Sequence, residues 1–140
     1  MDVTTLDSIA ERLNVSGSLR DITARAAYAA TKNRVRKAMA EMSIIGTKAV
    51  AHISAAMAQP FDFMHEVDDS TPAGAQWQLV PGMLSLANSL YKMASEQVAD
   101  YQENGGQYTG SLNTDLRASK DMINHTQDVY TYRKDNDFYE

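Results

Sequence analysis

Residues 19–59 decide the fold, and they read LRDITARAAYAATKNRVRKAMAEMSIIGTKAVAHISAAMAQ. This run contains no proline and only one glycine, Gly46. It opens after Ser18, and the pattern from Ser18 to Asp21 is typical of a helix N-terminus, where a serine oxygen accepts hydrogen bonds from free amides. The run stops at Pro60, which cannot donate to a continuing helical ladder. The pattern predicts one long helix over 19–59.

A straight helix of this length does not fit a compact globule. At 1.5 Å per residue it would extend about 60 Å, whereas a globule of this chain length has a diameter of roughly 37 Å. Two alternatives follow. Either the helix breaks, with Gly46 as the natural place, or the molecule is elongated and buries part of the helix against other chains.

The rest of the chain also reads as helical. Residues 3–14 have the spacing of a short amphipathic helix. Residues 60–80 predict a loop, because they contain Pro60 and Pro72. Residues 81–132 predict an antiparallel helical hairpin, followed by a charged tail at 133–140. We therefore expect a single all-α domain, in which the long helix packs on the hairpin to form an elongated helical bundle.

One line along the long helix alternates steps of four and three residues, the spacing of a seam between two helices. We interpret it as a subunit-packing seam formed by Val35, Met39, Met42, Gly46, Ala49, Ile53 and Ala56. Its small residues would allow a second helix to approach closely. The second helix could belong to the same chain, as in an ordinary bundle, or to another subunit.

The net charge of −5 is unevenly distributed. The first 60 residues carry eight Lys and Arg against five Asp and Glu, which gives +3, and the remaining 80 carry five against thirteen, which gives −8. Segments of opposite sign attract each other, within one chain or between neighbouring copies.

Two local clusters contribute to this asymmetry. The basic stretch 32–37 contains Lys32 and Arg36, four residues apart and so on one helix face. Carboxylates with helical spacing form an acidic stripe, namely Glu96, Asp100 and Glu103. We predict charge pairing between Lys32 and Arg36 and this stripe. The alternatives are that the basic stretch binds nucleic-acid phosphate or forms a face that meets only solvent.

Motifs for catalysis or cofactor binding are not present in the sequence. The chain has no cysteine, which excludes disulfides, zinc thiolates and thiol catalysis. It contains no glycine-rich phosphate loop, no G-x-S-x-G elbow and no H-E-x-x-H pair. His65 lies among carboxylates, but the regular ligand spacing of a calcium loop is missing. We expect no catalytic residue, no cofactor and no metal site, hence a protein that is not an enzyme.

The N-terminal residues lack the apolar region of a secretory signal peptide. The most apolar window, 38–59, contains Glu41, Lys48 and His52, so we expect no membrane span. These features predict a soluble chain that assembles in the cytoplasm or is exported by a route other than Sec.

The overall composition, cysteine-free and rich in alanine and methionine, is similar to that of small filament components of secretion machines and of phage virion proteins. The sequence therefore predicts a structural subunit that assembles with copies of itself or with sister proteins. Two alternatives remain: a nucleic-acid-associated helical protein acting through 32–37, and a small helical chaperone or adaptor.

Overall fold

A computed structural model describes residues 18–103 and 112–139, and every regular element in these two ranges is an α-helix. The helices are α1 (Ser18–Ile45), α2 (Thr47–Ala56), α3 (Ala58–Glu66), α4 (Ala73–Glu103) and α5 (Leu112–Asp135). The predicted all-α class is confirmed. The predicted helix at 3–14 lies outside the described residues.

The run over 19–59 is divided at two points. Gly46 separates α1 from α2 with φ 122° and ψ 168°, a conformation that is essentially restricted to glycine. Met57, with φ −110° and ψ 13°, separates α2 from α3. The prediction of one continuous helix is therefore wrong, and the alternative of a break at Gly46 is confirmed.

The predicted loop over 60–80 is also wrong, because neither Pro60 nor Pro81 ends a helix. Pro60 is the third residue of α3, where its missing N–H would have no helical partner in any case. Pro81 lies inside α4 with its ring exposed, while Val80 before it and Met83 after it are buried and hold the helix against the core. Only residues 67–72 form a loop, so the hairpin begins at Ala73.

The charged tail predicted at 133–140 begins inside a helix. α5 continues to Asp135, and residues 136–139 form a turn. Within that turn Phe138 and Tyr139 stack edge to face, with their ring centroids 5.5 Å apart. Tyr139 in turn contacts Tyr130 of α5 at 5.7 Å, so aromatic contacts fold the end of the described chain back onto the helix.

The described helices form four rods, of which the second consists of α2 and α3 together. α1 and α4 run in the same direction, since Thr31 contacts the sulfur of Met83 at 4.0 Å and Arg34 donates to Asn88 Oδ1 at 3.0 Å. α2 and α3 return the chain from the end of α1 to its beginning, where the Tyr28 hydroxyl donates to the Val67 carbonyl at 3.1 Å.

α5 runs back along α4 in the opposite direction. The hydroxyls of Ser85 and Ser119 are hydrogen-bonded at 2.8 Å, and Thr126 donates to the Gln78 carbonyl at 3.3 Å. The two helices approach closely at Gly82, where an added Cβ would lie 2.8 Å from Cγ1 of Ile123. The predicted antiparallel hairpin is confirmed.

The core follows a regular alternation of four- and three-residue steps on α1. We call this line the inner face of α1, and it consists of the buried residues Ala24, Tyr28, Thr31, Val35, Ala38, Met42 and Ile45. The line continues into α2 with Ala49 and Ile53. Opposite it, α4 supplies Leu79, Met83, Leu86, Leu90 and Met93.

This line differs from the predicted seam at three positions. Val35, Met42, Ala49 and Ile53 of the seam are buried in the chain's own core. Met39, Gly46 and Ala56 are only partly buried, because the core uses the adjacent residues Ala38, Ile45 and Met57 at the corresponding steps. The buried part of the seam therefore faces helices of the same chain and gives no argument for another subunit.

Candidate interaction faces and cleft

The side of α1 opposite the core carries a second line with helical spacing. We call it the outer face of α1, and it consists of the exposed residues Ile22, Ala26, Ala29, Asn33, Lys37, Ala40 and Ile44. Ile22 and Ile44 near its two ends are 65% and 61% exposed. The solvent-facing side of a bundle helix normally carries polar residues, so this side of α1 is unusually rich in small and apolar residues.

Basic residues border the outer face of α1. Arg25 donates to the Asp69 carbonyl at 2.7 Å, and Lys32 lies over the Tyr28 ring at 5.7 Å. Arg36 and Lys37 are exposed. Among the described residues, Lys32 and Arg36 have no carboxylate within ion-pair distance, so their positive charges are available to a partner.

The structure does not bring the predicted charge partners together within one chain. Arg34 is level with Asn88, and Glu96 lies eight residues further along α4, which is about 12 Å. Since α1 and α4 are parallel, Glu96 is about 15 Å beyond Lys32 and about 9 Å beyond Arg36. The side chains of Asp100 and Glu103 lie outside the described ones, so pairing with this stripe stays a prediction for contacts between copies.

A different acidic line is present on α5. We call it the outer face of α5, and it consists of the exposed residues Asp121, His125, Asp128, Tyr132 and Asp135. The three carboxylates are seven residues apart, so they fall on one side of the helix. Tyr132 is 70% exposed and the neighbouring Met122 is 40% exposed, which gives this face an apolar component.

The outer faces of α1 and α5 lie on different sides of the bundle, because both helices pack on α4 and no Cα atoms of their described residues lie within 8 Å of each other. Their heights along the bundle can be compared through α4. Thr31 contacts Met83, and the adjacent Gly82 lies against Ile123. Lys32 is therefore level with Asp121 to within about one helical turn.

A second match in height lies closer to the start of α1. Gln78, five residues before Met83, is hydrogen-bonded to Thr126. Five residues before Thr31 the chain reaches Ala26, so Arg25 is level with Asp128 within about one turn. Two cations on α1 and two carboxylates on α5 thus have the same seven-residue spacing at the same heights.

A cleft lies between α1 and the α2–α3 rod. Its volume is about 330 Å³, and its apolar lining includes Val35, Met39, Phe61, Met64 and Met83. Polar groups are few and lie towards the opening: Lys32, Arg36, Ser54 and His65. Ligand sites typically combine such an apolar floor with a small number of polar groups, and they occupy roughly 300–1,000 Å³.

The loop 67–72 fixes the end of the cleft near the start of α1. Tyr28 donates to the Val67 carbonyl, and burial raises the pKa of this phenol. Asp68 accepts hydrogen bonds from the Ser70 hydroxyl at 2.6 Å and the Ser70 amide at 2.9 Å, and these donors lower its pKa. Gln76 Nε2 donates to the Asp68 carbonyl at 2.7 Å, which ties the loop to α4.

The histidines do not join a metal-binding cluster. Within 18–103 and 112–139, no three His, Asp or Glu side chains are grouped so that they could hold a metal ion. His65 and His125 are exposed. None of the helices in this part of the chain is both long and apolar enough to cross a bilayer.

Sequence reasoning missed the cleft and both outer faces. The seven-residue spacing of Asp121, Asp128 and Asp135 is visible in the sequence, and so is the second line of small residues on α1. Helical spacing alone, however, does not show which face of a helix stays exposed. The cleft could not be found in this way, because it depends on the break at Gly46 that folds α2 and α3 back onto α1. Comparison of the chain with protein-family models, curated protein sequences and solved structures finds no match.

Proposed function

We propose that this protein is a non-catalytic structural subunit that assembles with copies of itself, the outer face of α1 in one copy packing on the outer face of α5 in the next. The observation that carries the proposal is the match between these faces. Each face is exposed and partly apolar. The half-buried cations Arg25 and Lys32, which border the outer face of α1, have the same spacing as Asp128 and Asp121 and lie at the same heights to within about one helical turn.

The direction of the helices fits such a contact. Because α5 runs opposite to α1, two copies placed side by side in the same orientation bring α1 antiparallel to α5. Arg25 then meets Asp128 and Lys32 meets Asp121. Ile22 lies three residues before Arg25 and Tyr132 lies four residues beyond Asp128, so these two side chains also meet. Their contact buries apolar surface, which stabilises the interface where exposed ion pairs contribute little.

The two faces differ, so the contact is heterologous. A heterologous contact leaves one unused face at each end of every open oligomer and produces an open array or a ring rather than an isologous dimer. The ion pairs would set register and partner choice more than affinity, since exposed pairs contribute only about 0.2–1 kcal/mol each.

Engineered cysteines test the geometry directly, because the chain has no cysteine of its own. The double variant Ile22→Cys with Tyr132→Cys should form intermolecular disulfides under mild oxidation and give a ladder of dimers, trimers and longer species on a non-reducing gel. The matched control is Ile44→Cys with Tyr132→Cys, because Ile44 lies about 33 Å further along α1. A ladder in the control that equals that of the test variant would contradict the register.

Charge reversal tests the partner. Arg25→Glu with Lys32→Glu should lower the mass measured by light scattering, and adding Asp121→Lys with Asp128→Lys should restore it. The control, Lys48→Glu with Lys92→Glu, makes the same change in net charge at exposed positions elsewhere and should leave the mass unchanged.

The same variants address nucleic-acid binding through 32–37. The nucleic-acid alternative would replace the assembly proposal if two results were found together. The unaltered protein would bind DNA with an affinity that falls as salt is added, and Arg25→Glu with Lys32→Glu would abolish that binding without changing the mass measured by light scattering.

A further inference from the structure

We propose that the cleft between α1 and the α2–α3 rod binds a single-chain amphiphile with an anionic head group, such as a medium-chain fatty acid. This site shares Lys32 with the contact between copies proposed above, but it has its own evidence, which is the composition of its wall and mouth. Its test uses Arg36, Ser54 and the methionines of the cleft, which the contact between copies does not need.

The floor of the cleft suits an alkyl chain. Val35, Met64 and Met83 are buried there, and Met39 and Phe61 are half-buried. Three of these five side chains are methionines, which are unbranched and polarisable and therefore adapt to a flexible apolar ligand. At about 330 Å³ the cleft is at the small end of ligand sites, which favours one alkyl chain over a two-chain lipid.

The mouth of the cleft selects a negative head group. Lys32 and Arg36 are one turn apart on α1 and both border the opening, with Ser54 and His65 facing them from the α2–α3 rod. On their other side, the same two cations border a polar depression with Asp68 and Asp69. Neither cation has a carboxylate within ion-pair distance among the described residues. Within a single chain, a carboxylate can therefore be bound without first displacing an existing ion pair, and at Arg36 this also holds in the proposed assembly.

Methionine-methyl NMR would locate the ligand. Decanoate, kept below its micelle concentration, should shift the methyl signals of Met39, Met64 and Met83, while Met122 on the outside of α5 should not respond. Decanol should bind more weakly, and decyltrimethylammonium should not compete. Equal affinity for decanoate and decanol, or an equal response at Met122, would overturn the proposal, because it would indicate a plain apolar surface.

Substitutions at the mouth separate the head-group contact from folding. Arg36→Gln should weaken decanoate binding about tenfold, with decanol unaffected, because one charge-assisted contact is lost. The control is Lys37→Gln, at the next position and exposed but not in the cleft wall, and it should change nothing. If both variants lost decanoate affinity to the same extent, the carboxylate would be attracted by the general positive charge of this surface and not bound at a specific site.

Ser54→Trp should fill the opening and abolish binding of both ligands, since Ser54 is exposed and can change without disturbing the core.

The cleft could instead receive part of another copy. In that case the three methionine signals would shift with protein concentration in the absence of decanoate, and Ser54→Trp would lower the mass in solution. That result would overturn the ligand proposal and leave the contact between α1 and α5 untouched.

Discussion

The inner and outer faces of α1 have nearly the same residue spacing and opposite environments. The inner face places Val35, Met42 and Ile45 against other helices, and each of these is at most 7% exposed. The outer face repeats the steps of four and three with Ile22 and Ile44 in solvent. Spacing alone therefore shows that a face can pack; it does not show against what.

The largest expected effect contrasts two nearby residues on the two faces. Met42 is fully buried, so Met42→Ala should lower the free energy of unfolding by about 2–5 kcal/mol. Ile44→Ala should change it by less than about 0.5 kcal/mol, since its side chain is 61% exposed. Urea denaturation at a protein concentration low enough to prevent association measures both. Equal losses would mean that Ile44 is covered within a single chain.

A second prediction concerns the turn that ends the inner face. Gly46→Ala should destabilise the fold by about 1–3 kcal/mol, because an alanine at φ 122° is strained wherever its methyl group points. Thermal unfolding provides the measurement. Had α1 continued as an ordinary helix, the same change would stabilise it by up to about 1 kcal/mol, so a rise in melting temperature would contradict the break.

The same contrast of faces can be tested on α4 with two glycines. Gly82→Ala would place a methyl group 2.8 Å from Ile123 Cγ1 and should destabilise by about 1–3 kcal/mol through overpacking. Gly74 lies on the exposed side, where an added methyl group would meet nothing within 4 Å, so Gly74→Ala should stabilise by about 0.4–1 kcal/mol. Chemical denaturation of the pair should give opposite signs, and equal signs would contradict the close approach of α4 and α5.

The smallest effect concerns the phenol on the inner face of α1. Tyr28→Phe removes the hydrogen bond to the Val67 carbonyl and should cost about 0.5–1.5 kcal/mol. Burial raises the pKa of Tyr28 in the folded protein, so the unfolded chain ionises first, near pH 10. Stability from the neutral phenol is fully present below that pH and is lost as the pH rises from there through the higher pKa of the folded state.

The unaltered protein and Tyr28→Phe should therefore differ in pH dependence as well. Denaturation at about pH 8 and about pH 11 should show the stability of the unaltered protein falling towards that of Tyr28→Phe. If the difference in free energy of unfolding between the two proteins stayed constant or widened, Tyr28 would ionise at least as easily in the folded protein as in the unfolded chain.

The helical class and the hairpin were predictable because apolar residues at helical spacing persist through α4 and α5. The helix ends were not. Pro60 and Pro81 are strong local stop signals, but the first lies where a helix needs no donor and the second faces solvent on a helix whose other side is buried. The seam was placed at Met39 by its spacing of four and three residues, but a step from Val35 to Met42 can pass through residue 38 or 39. The structure buries Ala38 completely and leaves Met39 half-buried.

The candidate sites were less predictable than the fold. Lys32 and Arg36 were predicted to pair with the stripe of Glu96, Asp100 and Glu103, and that pairing stays a prediction. The surroundings of the two cations depend on residues from three separate helices, and one sequence cannot show that Met64 and Met83 lie beside them. Likewise, the sequence does not show that Arg25 and Asp128 lie at the same position along the bundle axis, because that position depends on how α1 and α5 each pack on α4.

The division of the second rod into α2 and α3 has a consequence for local unfolding. Helices of 10 and 9 residues are too short to persist without tertiary contacts, whereas α1 and α4, with 28 and 31, are not. Amide hydrogen exchange should therefore find the α2–α3 segment opening as one unit, below the free energy of global unfolding. Each such opening would uncover Val35 and Met83, so a local opening of this rod would expose the floor of the cleft together with part of the core.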